Sequence, residues 1–248
     1  MLAKKISCGI FILLAHTTGY AAEITLMAST GVSSMMKALL PEFEKQTGHR
    51  IIASYDTSNI MMKRLQSGEA TDLIILTAPL VDELIQTGKV AVGGRTDIAK
   101  SGIGIAIQSG KAKPDISNAE ALKKTLLEAS SIAYTGTGAS GIYFAKLVDQ
   151  LGIGEQVRAK AKTPPGGIIA EIIAKGDAEI GVQMISELTG VKGTEYIGPL
   201  PGQLQLYTVF SIGQMKNSKE VEVGKALTKF LTSPEAIKVY KKQGMEAI

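Results

Sequence analysis

Three stretches of the chain set hydroxyls and glycines in the same local context. TLMASTGVSSMM, residues 25–36, closes an apolar run with Ser29, Thr30 and Gly31 just before a helical stretch. Thr57-Ser58-Asn59 follows a strand-like run ending at Tyr55 and precedes IMMKRLQS. TGTGASG, from Thr135 to Gly141, follows SIAY and precedes IYFAKLVDQL. A helix start presents unpaired backbone N–H groups and partial positive charge, and neighbouring hydroxyls donate without adding a full charge, so each stretch suits an anion. For any one of them, N-capping by Ser, Thr or Asn is explanation enough. Three together, with TPPGG (Thr163 to Gly167) opening a fourth helix, point to a shared anion site at the carboxyl edge of an α/β sheet.

Few other side chains offer chemistry. The first 21 residues read as an export signal: Lys4 and Lys5, an apolar run from Ile6 to Ala15 too short to span a bilayer, and small residues before a cut after Ala21. The mature chain is therefore expected in the periplasm. Cys8 starts the apolar run rather than following it, which sets aside a lipid anchor. Removing residues 1–21 takes away the one cysteine and one of the two histidines, leaving His49 at an apparent helix end, where a surface role fits. Zinc sites, thiol nucleophiles, disulfides and Ser-His-Asp triads are nearly excluded, and no metal or cofactor is expected. The same cut leaves 25 basic against 23 acidic residues, a net charge of +2. That is too dispersed for nucleic acid, so the ligand is expected to be a small anion and the protein a monomer.

The elements that must position these loops alternate along the chain. Strands are expected at 24–27, 50–54, 73–76, 103–107, 132–134, 180–183 and 207–211. Helices are expected at 34–46, 60–67, 79–87, 119–129, 142–150, 168–175, 219–231 and 234–243, the last opened by Ser233-Pro234-Glu235. This order is that of an α/β fold with crossover helices. The pairs Met35-Met36 and Met61-Met62 read as core.

At these residues the chain resembles the periplasmic molybdate-binding protein family, two-lobed solute receptors of ABC importers. The resemblance runs through LMASTGVSSMMKALLPEFEKQTG, SYDTSNIMMKRLQSGEATDLIILTA, ASGIYFAKLVDQLGI, GDAEIGVQMISE and FLTSPEAIKVYKKQGM. It implies a type II periplasmic binding protein fold, with the ligand cleft between lobes joined by two crossover segments. Residues 22–101 and 196–248 would form lobe I and residues 102–195 lobe II. An importer permease is the partner this implies.

Carried over residue by residue, the family's second-loop hydroxyl falls on Ser58, and its backbone contacts fall on Thr77 and Ser140. The first-loop serine aligns with Gly31, and the late-strand tyrosine with Met184. Two donors to a tetrahedral oxyanion are thus missing, which argues against molybdate, tungstate or sulfate. The substrate-binding set expected instead is Ser29, Thr30, Thr57, Ser58, Asn59, Thr77, Ser140, Gly141 and Gln183. To it are added Arg95, either a carboxylate clamp or a surface or hinge arginine, and Tyr143, either cleft wall or core.

ASGIYFAKL, EIGVQMISEL and GPLPGQLQ resemble the branch of this scaffold that includes aconitate isomerase. That implies a tricarboxylate ligand and a cofactor-independent allylic proton transfer, which needs a base within reach. Asp56, Lys63, Tyr143 and Glu187 are the choices, and the sequence does not decide among them. Each also has a plain structural role, Glu187 that of a surface acid. A receptor without enzymatic activity, for an organic acid or a molybdate-type oxyanion, is the alternative.

Overall fold

The computed structural model describes residues 21–248; the expected export signal lies almost wholly outside them. The chain runs β1 (Glu23–Ser29), α1 (Ser33–Thr47), β2 (Arg50–Asp56), α2 (Ser58–Gln66), β3 (Leu73–Thr77), α3 (Ala78–Gln86) and β4 (Val90–Ser101). Next come β5 (Ile103–Gln108), α4 (Ala119–Glu128), β6 (Ile132–Ala133), α5 (Ala139–Gln150), α6 (Gly154–Arg158), β7 (Ala161–Lys162), α7 (Ile169–Ala174), β8 (Ile180–Met184), α8 (Ile185–Leu188) and β9 (Thr194–Pro199). It ends with β10 (Thr208–Met215), α9 (Val221–Leu231), α10 (Pro234–Lys242) and β11 (Glu246–Ala247).

Two sheets result, ordered β11-β4-β10-β3-β1-β2 and β7-β6-β8-β5-β9. In the first, β1 is parallel to β2 and β3, whereas β10 is antiparallel to β3 and β4. In the second, β6 is parallel to β7 and β8, and β5 is antiparallel to β8 and β9. The internal strands β3 and β8 are buried on both faces, which is why LIIL in β3 reads as a continuous apolar run. Leu73 and Ile75 enter the core under α1, α9 and α10, while Ile74 and Leu76 enter the core under α2 and α3. The four methionines of the two pairs are buried in these cores. The second sheet packs Ile105, Ile132, Ile180 and Val182 against α4 and α5, and Ala106 and Ala133 against α7.

The chain leaves the first sheet after Ser101, with Gly102 alone between β4 and β5, and rejoins it at Thr208. Residues 196–199, expected in lobe I, pair with β5 in the second sheet, because the β5–β9 ladder continues to Pro199. Gln205, in the return segment, ties the two crossings together. Its Oε1 accepts from Ile103 N–H at 2.8 Å and its Nε2 donates to the Ile103 carbonyl at 2.8 Å. A side chain on Gly102 would collide with Gln205, so the clip explains the glycine.

Candidate functional site: the cleft between the two sheets

The three loops do meet. Ser29, Thr30, Gly31, Thr57, Ser58 and Thr77 from the first sheet face Thr135, Gly138, Ala139, Ser140, Met184 and Glu187 from the second, with Phe210 of β10 as a further wall. Parallel strands deliver each chain segment to the same edge before its helix begins, which is what gathers the helix starts there. The space enclosed is about 20 Å³, room for about one water.

The hydroxyls divide into two kinds. Ser29 and Thr57 are N-caps: Ser29 Oγ accepts from Gly31 N–H at 3.3 Å, and Thr57 Oγ1 from Ile60 N–H at 3.3 Å. Thr77 and Gly138 hold the N-cap positions of α3 and α5 without a side-chain cap bond, leaving first-turn N–H groups of those helices without that partner. Ser58 Oγ accepts from Thr77 N–H at 3.2 Å, joining the second loop to the end of β3. Thr135 is 1% exposed, and its Oγ1 is the one buried side-chain oxygen among the described residues with no hydrogen-bond partner. An isolated buried hydroxyl is costly, and this one sits on the cleft wall.

Hydrogen bonds link the two sides across the rim and along the back. Thr57 Oγ1 and Thr137 Oγ1 lie 2.8 Å apart, and Thr137 donates to the Pro165 carbonyl, so the bridging proton comes from Thr57. Asn59 Nδ2 donates to the Thr137 carbonyl at 2.8 Å. Along the back, Ser34 Oγ donates to the Ser186 carbonyl at 3.2 Å and Ser186 Oγ to the Gly31 carbonyl at 2.7 Å.

Glu187 is the charged residue of the lining. It is 7% exposed, not the surface acid its sequence context suggested. It is the third residue of α8, and two neighbouring groups favour its ionised form, the Thr30 hydroxyl and the Met184 backbone N–H at the N-cap. Burial pushes the acid up to about 7, and those two donors only partly oppose the rise.

Several expected contacts fall elsewhere. The Arg95 guanidinium lies on β4, bonded to Asp97 at 2.9 Å and Asp82 at 2.5 Å, outside the cleft lining; two carboxylates of its own lobe satisfy it. The Tyr143 hydroxyl donates to the Leu204 carbonyl at 3.0 Å, with its ring packed on the core of the second sheet. Gln183 Oε1 accepts from Ile169 N–H at 2.7 Å and Nε2 donates to the Gly167 carbonyl at 2.8 Å, so Gln183 braces the TPPGG loop from behind. That loop touches the rim rather than lining the cleft: a side chain on Gly166 would meet Asp56 and Thr57. Gly141 is a packing residue, since a Cβ there would overlap the Thr135 carbonyl. His49 accepts from Ala22 N–H at 3.2 Å through Nδ1 and lies outside the cleft lining.

The sequence pattern of the bacterial extracellular solute-binding protein family matches residues 24–246. The chain belongs to that family. It is 32% identical over 247 residues to the aconitate isomerase of a Pseudomonas species, covering 96% of this chain and 94% of that protein. It is 26% identical over 234 residues to the molybdate-binding protein of Azotobacter vinelandii, covering 90% of each. Among solved structures, the periplasmic molybdate-binding protein of Azotobacter vinelandii superposes with a TM-score of 0.77 at 17% identity, over 91% of this chain and 99% of that one. The fold is therefore that of the two-lobed periplasmic binding proteins, as the sequence implied.

Proposed function

We propose that this protein is an exported, cofactor-independent isomerase of a small polycarboxylate, interconverting trans- and cis-aconitate in the periplasm. The observation that carries the reading is the pairing of Gly31 with Phe210. The space a side chain at position 31 would occupy meets the Phe210 ring, so this position of the first loop offers no hydroxyl to an oxyanion. A cleft with an aromatic wall and scattered hydroxyls favours a ligand with a carbon skeleton. The 32% identity to an aconitate isomerase across nearly the whole chain supports the same ligand class. In this reading Ser58, Thr77, Thr135, Ser140 and backbone N–H groups hold carboxylates, and the lobes separate to admit a ligand larger than the enclosed space.

A second reading, a non-enzymatic receptor for a small anion working with an importer permease, is favoured by two features. The enclosed space is about 20 Å³, and no lysine or arginine lines it. Neutral donors alone suit a compact anion. Ultraviolet assay of the purified mature protein with trans-aconitate separates the readings. The isomerase gives an absorbance change that reaches the same end point from the cis isomer. An unchanged spectrum at high protein concentration, with thermal stabilisation by molybdate and none by aconitate or citrate, establishes the receptor instead.

A further inference from the structure

Glu187 is the one carboxylate in the lining of the cleft, and nothing around it neutralises its charge. Among the described residues it forms no ion pair, and the polar groups beside it are the Thr30 hydroxyl and the Met184 N–H. α8 packs against β5, β8, β9, α7, α1 and the turn at 30–32, and none of them brings a charged side chain that shifts it. Its place in the first turn of α8 accounts for the Met184 N–H beside it. It does not account for Thr30, which reaches across from the opposite lobe, nor for the acid's place on the cleft surface. A carboxylate buried without a cation, beside an anion-binding wall, is poised to take up a proton rather than to bind the anion.

We propose that Glu187 is the acid–base residue of this cleft, and that Thr30 positions its carboxylate. The proposal rests on the isomerase reading above. The Glu187 carboxylate takes a proton from the methylene carbon of bound trans-aconitate, and the C–H electron pair delocalises as a dienolate over the neighbouring alkene and carboxylate. The protonated Glu187 then gives a proton to the former vinylic carbon, the double bond now lying between the central carbon and the original methylene. One proton leaves and one returns, and no oxidant, metal or cofactor takes part. A group titrating close to the working pH is suited to both halves of this exchange.

The test measures turnover, binding and isotope exchange on the mature protein. Glu187→Gln is expected to lower kcat by about 10²- to 10⁴-fold while trans-aconitate still raises its melting temperature. Wild type incubated in D₂O is expected to place deuterium on aconitate carbon, and Glu187→Gln to place none. Thr30→Val removes a donor that favours the ionised form, so the rising limb of its pH–rate profile is expected to move to higher pH, with Thr30→Ser restoring it. Wild-type kcat in a folded Glu187→Gln overturns the proposal and leaves the isomerase intact. So does a pH profile that Thr30→Val leaves unmoved. No turnover by wild type overturns the isomerase reading itself, and the role of Glu187 with it.

Discussion

Gly31 and Phe210 compete for one space: a Cβ on Gly31 would collide with Cζ at the edge of the Phe210 ring, a residue that is 1% exposed. The glycine of the first loop and the phenylalanine of the returning strand are therefore a single substitution in physical terms. The resemblance to the molybdate-binding family implies a serine donating to an oxyanion from position 31. Here the ring has taken that place. Gly31→Ser is expected to destabilise the protein by about 1–3 kcal/mol, because a packed core accommodates added atoms only by displacing neighbours. Phe210→Ala is expected to cost about 3–5 kcal/mol alone, and the double variant less than the sum of the two. Denaturant melts of the four proteins give the coupling; strict additivity would show that the ring simply moves aside.

Thr135 gives a prediction that a structural threonine would not. Replacing a buried hydroxyl that has no partner by a methyl of the same shape removes a desolvation penalty, so Thr135→Val is expected to melt at or above the wild-type temperature. If the hydroxyl meets a ligand carboxylate, the same variant binds more weakly by about 1–2 kcal/mol, read by calorimetry with trans-aconitate. Ser58→Ala differs, since Ser58 Oγ also accepts from Thr77 N–H; it is expected to lose both affinity and some stability. Equal affinity in Thr135→Val would assign the threonine to packing alone.

Arg95 separates a real carboxylate clamp from an ion pair at the surface. Its side chain is 30% exposed, with Asp97 and Asp82 at 29% and 46%. Partly exposed pairs contribute little, so Arg95→Ala is expected to lower stability by about 1 kcal/mol or less. Affinity for any anion is expected to stay within twofold. A tenfold loss of trans-aconitate affinity in a variant that melts normally would put the guanidinium back in the cleft.

The pattern of the sequence carried much of this arrangement. β1, β3 and β5 are continuous apolar runs because both faces are covered, and α1, α3, α9 and α10 carry one apolar stripe each, so periodicity located them. β4 was missed because it has its Gly93-Gly94 bend and a half-exposed middle, and it is held in the sheet by pairing with β10 rather than by burial. α8 is four residues long, too short for a helical period to register. Missing it hid the burial of Glu187, which the sequence offered as one base among four and read as a surface acid; that burial depends on α8 folding back against the turn at 30–32. Phe210 sat within an apolar strand and carried no local sign of a cleft role. The signal that was legible concerned Gly31, and its physical partner became visible only when two segments far apart in the chain were brought together. The loops themselves were legible as helix starts, but not the division of labour within them: Ser29 and Thr57 cap, and Thr30 sits beside the buried Glu187.

The rim bridges predict a kinetic effect. Asn59 Nδ2 and the Thr57 hydroxyl both end on Thr137, so Asn59→Ala and Thr57→Val each remove a link that exists only while the lobes are together. Each link is worth about 0.5–1.5 kcal/mol net, and its loss destabilises the closed form; Asn59 lies outside the cleft lining, whereas Thr57 is part of it. The expected result is a faster dissociation rate with an association rate close to wild type, measured by stopped-flow fluorescence. Thr57→Val also removes the α2 cap and is expected to lower the melting temperature. Asn59→Ala is the cleaner variant, and an unchanged dissociation rate there would show that the bridge plays no part in holding the ligand.

Burial of Glu187 also sets how stability changes with pH. Its carboxyl titrates at about 7 in the folded protein against an ordinary 4.5. Between those values the folded chain holds the proton and the unfolded chain has released it. The neutral acid thus contributes stability that is complete below pH 4.5 and fades as pH rises through 7, where folding forces a buried charge to form. Relative to Glu187→Gln, which stays neutral throughout, wild type is expected to lose on the order of 3 kcal/mol across that window, since each tenfold change in proton affinity corresponds to about 1.4 kcal/mol. Urea melts of both proteins at pH 4, 6 and 8 read this directly. The difference between them should be smallest at pH 4 and should grow steadily to pH 8. Parallel stability curves would mean that the carboxylate is ionised and solvated in the folded state, and the acid would then lie too far below neutrality to exchange protons in the cleft.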